Sequence, residues 1–479
     1  MKSILKRISP VLWEISSETR KNMRVPAHIY VSEDMLDMLF KDKSIEQLIN
    51  VTSLPGIVNY AVVMPDVHEG YGFPIGAVVA TDYFDGVISP GGIGYDINCG
   101  IRLLKSDFDI KSISKEIVTI TAELYDQVPS GVGKGGNIKL SDKEMNNMLE
   151  EGCRWAVLQG YASNEDLNFI ESNGCMTTAN PDFVSKIAKD RGRDQLGTMG
   201  AGNHFVEIDY IQKIYDEEVA KAFGLFLNQV VIQIHTGSRG LGHQVATDYI
   251  KKMIINVKSF GIELPDRELS CAPISSDLGK EYFSAMSAAA NYAWTNRQII
   301  THLIRQGWKN IFGKREGNLN ILYDVAHNIA KIEEHIIDGV KKKVIVHRKG
   351  ATRAFPANNV ELPQKYKSVG QPVLIPGSMG SASYILVGQS QNMEKSFGSC
   401  CHGSGRTMSR TAALKKYRGE ELKNELKNLG ITIQTGSLKG LAEEAPEAYK
   451  DVDSVVDVVE LGLLAKRVAR LKPIAVIKG

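Results

Sequence analysis

The sequence predicts an α/β chain, α+β-like in its order, folded as one large domain over residues 1–479. Three observations carry that expectation. Short β-branched runs recur along the chain, apolar stretches with three-to-four spacing lie among them, and many of the 44 glycines gather in short loops between the two. A doubly wound parallel sheet would need a steady strand–helix beat, and the succession here is irregular.

Taken in order, GIVNYAVVMP (56–65) and GAVVATDYF (76–84) read as strands, as do NQVVIQIH (228–235), LNILYDVAH (319–327) and KKKVIVHRKG (341–350). Residues 277–306 form the clearest helix: Leu278, Tyr282, Met286, Ala289 and Ala293 fall on one face, and Asp277 stands where a cap is needed. A second helix is expected over TMSRTAALKKYRGEEL (407–422). The connecting loops are glycine-rich: SPGGIGYDINCG, SGVGKGGN, GTMGAGNH, HTGSRGLGH, IPGSMGSAS and HGSGR. There is no internal repeat, low-complexity segment or Pro/Ser-rich linker.

Composition narrows the classes. The chain is 43% hydrophobic and 23% charged, which suits a globular protein with a large core. Its opening, MKSILKRISPVLWEIS, breaks each apolar run with Lys, Arg, Ser or Pro, so neither a signal peptide nor a membrane span is expected and the cytoplasm is the default location. Six cysteines without a Cys-x-x-Cys do not make a disulfide scaffold. A net charge of +2 is too small for a protein that binds nucleic acid over its whole surface, so any such binding needs a local patch.

The turn YDINCG places Asp96 three residues before Cys99, where neither can fill a core. His204 (GAGNHFVE), His235 (VVIQIHTGSRG) and His327 (LYDVAHN) each stand at the junction of an apolar run with a polar or glycine-rich one, where loops present functional groups. A lone histidine beside a strand is more often a hydrogen-bonding partner than a ligand, Asp96 alone suits an Asx turn, and Cys99 alone a small buried hydrophobe. The set of five points instead to one or two divalent ions, with the thiolate able to bridge a pair. Thiolate and imidazole suit zinc, whereas the carboxylate and room for phosphate oxygens suit manganese or magnesium, so residue types leave the metal open.

CCHGSGRTMSR supplies a second chemistry. His402 is followed by Gly403, Ser404 and Gly405, then by Arg406 and Arg410, four apart at the start of the expected helix. Amides at a helix start with two arginines on one face make a phosphate cradle, and a neutral histidine there can attack phosphorus; the plainer reading is a capping turn with a surface histidine. Lys341, Lys342, Lys343, Arg348, Lys349 and Arg353 form a basic run that could follow a nucleic-acid backbone, and Arg239 lies beside His235. GVGKGG (131–136) matches a dinucleotide glycine pattern but does not follow a strand. Walker-type and Lys-x-Asp-Gly motifs are absent, so nucleotidyl transfer would have to use another nucleophile, His402 being the best candidate.

Together, DINCG, GAGNHFVE, HTGSRGLG, DVAHN, HRKGATRAFP, PGSMGSASY and HGSGR, in this order and closing with VIKG, resemble the RtcB family of GTP-dependent RNA-splicing ligases along almost the whole chain. The resemblance implies a fold of mixed β-sheets flanked by helices. It implies joining of RNA 3′-phosphate or 2′,3′-cyclic phosphate ends to 5′-hydroxyl ends, in tRNA splicing and RNA repair, with GTP and two Mn²⁺ ions. Carried over residue by residue, the metal ligands are Asp96, Cys99, His204, His235 and His327, with Cys99 bridging, and His402 takes the guanylyl group. The guanylate pocket would involve Asn203, Phe205, Val206, Glu207, Asn328, Pro376, Gly377, Ser378, Met379, Ser383, Gly403, Ser404, Gly405, Tyr449 and Lys478. Family members often carry alanine at the place of Ser404.

Arg239, Arg348, Arg353, Arg406 and Arg410 are the candidates for RNA phosphates, chosen for charge and loop placement. A small activating protein of the archease type is an expected partner, as in archaeal relatives. Two other classes compete. A metal-dependent phosphoesterase acting on cyclic phosphates would need the metal ligands but not His402, and a non-catalytic RNA-binding scaffold would need neither.

Overall fold

The computed structural model describes residues 2–131, 133–313 and 317–479. Val132, inside the GVGKGG run, lies outside the described residues. Two large mixed sheets dominate, as the α/β expectation requires. One has seven strands in the order Leu5–Arg7, Leu12–Ile15, Ala27–Tyr30, Ile57–His68, Ile75–Asp82, Val340–Lys349 and Asn328–Ile337. The other runs Asn320–Ala326, Gly100–Asp109, Gln229–Thr236, Phe205–Ile214, Ala465–Lys478, Ser383–Gly388 and Pro372–Ile375, with Thr432–Thr435 pairing in parallel beside Ala465–Lys478. All five strands read from the sequence are present, within a few residues of their expected ends.

Period-two alternation decides what each face of the eight-stranded sheet carries. Val206, Ile208, Ile232 and Ile234 point to one side, where they pack against Ile300, Ile304 and Trp308 of a long helix. Their neighbours Phe205, Glu207, Gln233 and His235 therefore point to the opposite side. That second face is where the site forms.

The long helix is Asp277–Phe312, running on past the expected end at residue 306. Its cap is Ser276, not Asp277: the Ser276 hydroxyl accepts from the Gly279 amide at 3.1 Å, the usual geometry of an N-cap one residue before the first turn. Small residues Ala285, Ala288, Ala289, Ala290 and Ala293 are fully buried along it, so neighbouring elements approach closely. The expected helix at 407–422 is divided into Arg410–Lys416 and Gly419–Asn428, with Ser409 capping the first. Arg406 thus precedes the helix and does not share a helical face with Arg410.

Candidate active site

Strand register assembles the metal-ligand set. Cys99 stands immediately before Gly100–Asp109, His204 immediately before Phe205–Ile214, and His327 immediately after Asn320–Ala326. Gly100 pairs with both Thr236 and Ala326, and Phe205 pairs with His235, so four strand ends meet at one place. The His327 amide donates to the Cys99 carbonyl at 2.9 Å.

The ligating atoms converge. Sγ of Cys99 is 3.4 Å from Nε2 of His204 and 3.3 Å from Nε2 of His235; the latter is 3.3 Å from Nε2 of His327, and His204 Nε2 is 2.9 Å from Oδ2 of Asp96. Cys99, His235 and His327 form one group able to hold an ion, and Asp96, Cys99 and His204 another, with Cys99 common to both. Burial, helped by neighbouring imidazoles and by His402, pushes His235 and His327 well below the usual histidine range. Their rings are therefore neutral at pH 7, and two neutral ring nitrogens 3.3 Å apart with their lone pairs converging repel unless a proton or a cation lies between them. Burial and the Asp96 carboxylate raise the Cys99 thiol, so only a bound cation would make it a thiolate. Buried nitrogen and sulfur donors plus one carboxylate fit the binding of a divalent transition metal, with Cys99 common to both ligand groups.

Arg297 explains the shape of the DINCG turn. Fully buried, it donates to the Asn98 and Thr236 carbonyls, both at 2.8 Å, to Oδ1 of Asn98 at 3.0 Å, and to both oxygens of Asp324. Asn98 adopts a positive φ of 52°, which this clamp supports. Asn328 ties the same turn to the neighbouring strand, donating to the Asp96 carbonyl at 3.1 Å and accepting from the Gly350 amide at 2.9 Å. Gly237 must lack a side chain, since a Cβ there would lie 2.3 Å from Oδ1 of Asp96.

His402 follows the short strand Ser399–Cys401, with its ring centroid 4.7 Å from that of His327. Its Nδ1 is 2.5 Å from Oδ2 of Asp66, and its backbone amide donates to the same oxygen at 3.2 Å. Among the described residues no hydrogen bond engages its Nε2, so with Nδ1 held on Asp66 the ring can turn that second nitrogen towards a phosphorus centre. Asp66 is fully buried. The strand carrying it is anchored by Lys450, whose Nζ donates to the Pro65 carbonyl at 2.8 Å and the Val67 carbonyl at 2.6 Å. Gly405, at φ 75°, packs directly on the Asp66 carbonyl.

A cavity of about 920 Å³ opens over these residues. Asp96, Cys99, His235, His327, His402, Asn203, Phe205, Glu207, Asn328, Pro376, Gly377, Ser378, Met379, Gly403, Ser404, Gly405, Arg406, Arg410, Tyr449 and Lys478 all line it. Two members of the expected guanylate set do not. Val206 points its side chain into the core on the far face of the sheet, and Ser383 is buried behind the wall, where its hydroxyl accepts from the Gly377 amide at 3.1 Å. Lys478 reaches across the floor to the Gly202 carbonyl at 2.7 Å. Behind Glu207, burial raises its carboxyl well above the usual range and lifts that of Asp209 to about 7; the two share a hydrogen bond, and Gln233 donates to both.

The proposed phosphate arginines divide. Arg239 opens the helix Arg239–Asn256 beside Asp96 and donates to Oγ1 of Thr198. Arg406 and Arg410 both pair with buried Glu444, at 3.0 and 2.9 Å. Arg348 and Arg353 must be corrected: both are fully buried and already paired. Arg348 forks onto Glu333 at 2.5 and 3.0 Å, and Arg353 pairs with Glu361 and donates to Gln371, so neither meets RNA. Lys349 of the same basic run is also buried, its Nζ holding the Tyr71 and Phe73 carbonyls.

Metal-assisted phosphoryl chemistry, in which cations neutralise charge beside an oriented nucleophile, is the class of enzyme this arrangement suits. A family model described as tRNA-splicing ligase RtcB matches residues 47–479, and the chain belongs to that family. It is 52% identical over 481 residues to the tRNA-splicing ligase RtcB of Archaeoglobus fulgidus, covering all of both chains, and 51% identical over 477 residues to that of Thermococcus kodakarensis, covering 99% of each. The Methanococcus maripaludis protein of the same name is 48% identical over 481 residues, again with full coverage.

Proposed function

We propose that this protein is the RNA ligase of tRNA splicing and RNA repair, joining 2′,3′-cyclic phosphate or 3′-phosphate ends to 5′-hydroxyl ends through a guanylylated His402. The observation that carries the reading is the pairing of His402 Nδ1 with buried Asp66, which leaves Nε2 open beside the metal-ligand cluster. Full-length relatives named as tRNA-splicing ligases support the substrate.

Asp96, Cys99, His204, His235 and His327 would hold two Mn²⁺ ions, which supply charge neutralisation at the transferring phosphoryl group. The chain's own residues do the rest. Nε2 of His402 attacks the α-phosphorus of GTP, forming an N–P bond as pyrophosphate leaves, while the Asp66 carboxylate balances the positive charge that develops on the ring. The RNA 3′-phosphate then takes the guanylyl group and His402 returns to neutral. Attack by the 5′-hydroxyl forms the new phosphodiester and releases GMP; a cyclic phosphate is first opened by water. Glu207, Phe205 and Lys478 form the wall on which the base would rest, and Arg406, Arg410 and Arg239 supply positive charge for phosphates. A small archease-type protein would assist turnover, and the cytoplasm is the proposed compartment. No helix among the described residues is long and apolar enough to cross a membrane.

A phosphoesterase acting on cyclic phosphates would use the same metal ligands but would not need His402 or a guanine pocket. The test is incubation with α-labelled GTP and manganese, denaturing electrophoresis and mapping of the acid-labile label. Label on His402, lost in His402→Ala while metal content persists, supports the ligase. Ligation by His402→Ala at the rate of the unsubstituted protein overturns the mechanism.

A further inference from the structure

The rim of the cavity on the Asp96 side carries aromatic rings that the chemistry above does not use. We propose that Tyr71, Tyr95 and His243 form a stacking platform for the terminal nucleobase of an RNA strand whose end enters the metal site, an inference that rests on the RNA-ligase reading. Tyr95 and His243 lie face to face, with centroids 4.8 Å apart and planes 25° apart, and Tyr71 meets Tyr95 edge-on at 5.6 Å. Both tyrosines line the catalytic cavity and are half-buried, while His243 is exposed. The rings therefore run from the cavity wall out to solvent, a stack left open at one end.

Each ring is held by the site's own scaffold. Tyr95 directly precedes Asp96 in the turn clamped by Arg297. Buried Lys349 fixes the Tyr71 carbonyl. His243 sits one turn into the helix that begins at Arg239, and Arg191, which donates to Gln244 at 2.9 Å, places an exposed guanidinium beside it. Rings next to cations at the mouth of a phosphate-handling cavity are the two parts of a single-strand binder: aromatic faces that accept any base, and charge that follows the backbone. The ends of RNA strands are where an unstacked base is available to lie on such a surface.

Two fluorescently labelled oligonucleotides test this with the manganese-loaded protein, one ending in a 3′-phosphate and one beginning with a 5′-hydroxyl. For at least one of them, the combined Tyr71→Ala and His243→Ala substitutions are expected to weaken binding about 10-fold, the scale of losing one base–aromatic stack. His243→Phe should restore affinity in the single-site background. An abasic residue at the terminal position should weaken binding to the unsubstituted protein to the same extent and have no further effect on the double variant. The salt dependence of binding should not change, since no phosphate contact is removed. Unchanged affinity of the double variant for both strands, or a further loss with the abasic strand, overturns the platform. If the unsubstituted protein neither binds nor joins either strand, the RNA-ligase reading fails and the platform with it.

Discussion

With Nδ1 of His402 bound to Asp66, the ring's tautomer and orientation are both set, and one substitution separates that role from simple structure. Asp66→Asn keeps the volume but lets the ring turn or carry its proton on the wrong nitrogen. Guanylylation should fall at least about 100-fold, the effect of losing an orienting carboxylate behind a catalytic imidazole, with little change in thermal unfolding. The rate of label uptake measures it. Arg297→Met should behave differently: it removes the clamp on Asn98 and Thr236, so bound manganese measured by elemental analysis should drop along with ligation, at a stability cost of about 3–5 kcal/mol for breaking a buried ion pair.

At this scale the sequence was informative where side-chain type declares chemistry. Asp96, Cys99, His204, His235 and His327 stood out at strand ends and do converge. Asp66 and Arg297 did not stand out. Asp66 is an acid inside an apolar run and Arg297 a cation on a buried helix face, both costly unless partnered, yet Asp66 meets His402 336 positions on, and Arg297 meets Asn98 199 positions back and Asp324 27 positions on, pairings that only the fold reveals. Arg348 and Arg353 failed for the converse reason: a basic run reads as a surface until the opposing Glu333 and Glu361 are in place.

Among the elements, the helix Asp277–Phe312 links most of the molecule. One end is capped by Ser276, the middle carries Arg297 to the active-site turn, and the far end covers the eight-stranded sheet through Ile300, Ile304 and Trp308. Ser276→Ala removes the cap and should cost about 1 kcal/mol, read from the urea midpoint at unchanged slope. Because the capped end lies nearly six turns from Arg297, ligation at saturating manganese should be retained. Helix and strand periodicities were legible here, since burial on one face imposes them, whereas the break at Tyr417–Arg418 was not. Gly419 was the one weak break signal within 407–422, and in the structure it opens the second helix, packed on the Leu438 carbonyl.

For the whole molecule, buried charge makes stability depend on pH. Burial alone would raise the Glu171 carboxyl, but Lys331 and Arg353 bring it down to about 2, and Arg348 and His335 hold Glu333 lower still. A carboxyl whose folded pKa lies below its unfolded value stabilises the fold above the unfolded value, near 4.5, and that contribution disappears as pH falls from there towards 2. This carboxylate contribution to the urea midpoint should therefore be lost below about pH 4.5, on top of a decline that begins near pH 6.5, where the unfolded chain takes up protons that buried His235 and His327 refuse. Glu171 also accepts from the Ala326 amide at 3.0 Å, next to His327, so the acid transition should disturb the metal site as the fold loosens.

The placement of Ala465–Lys478 has a consequence for how the protein is made. This strand lies between Phe205–Ile214 and Ser383–Gly388, inside the sheet, and the ion pair of Lys466 with Asp216 spans 250 positions. On the ribosome, the strands that carry His204 and His235 emerge early and wait with an open edge for a neighbour made some 250 positions later. Such an edge invites pairing with other chains. The sheet closes, and the cavity gains the wall that Lys478 supplies, only after this distant strand has been made and has entered between its two neighbours.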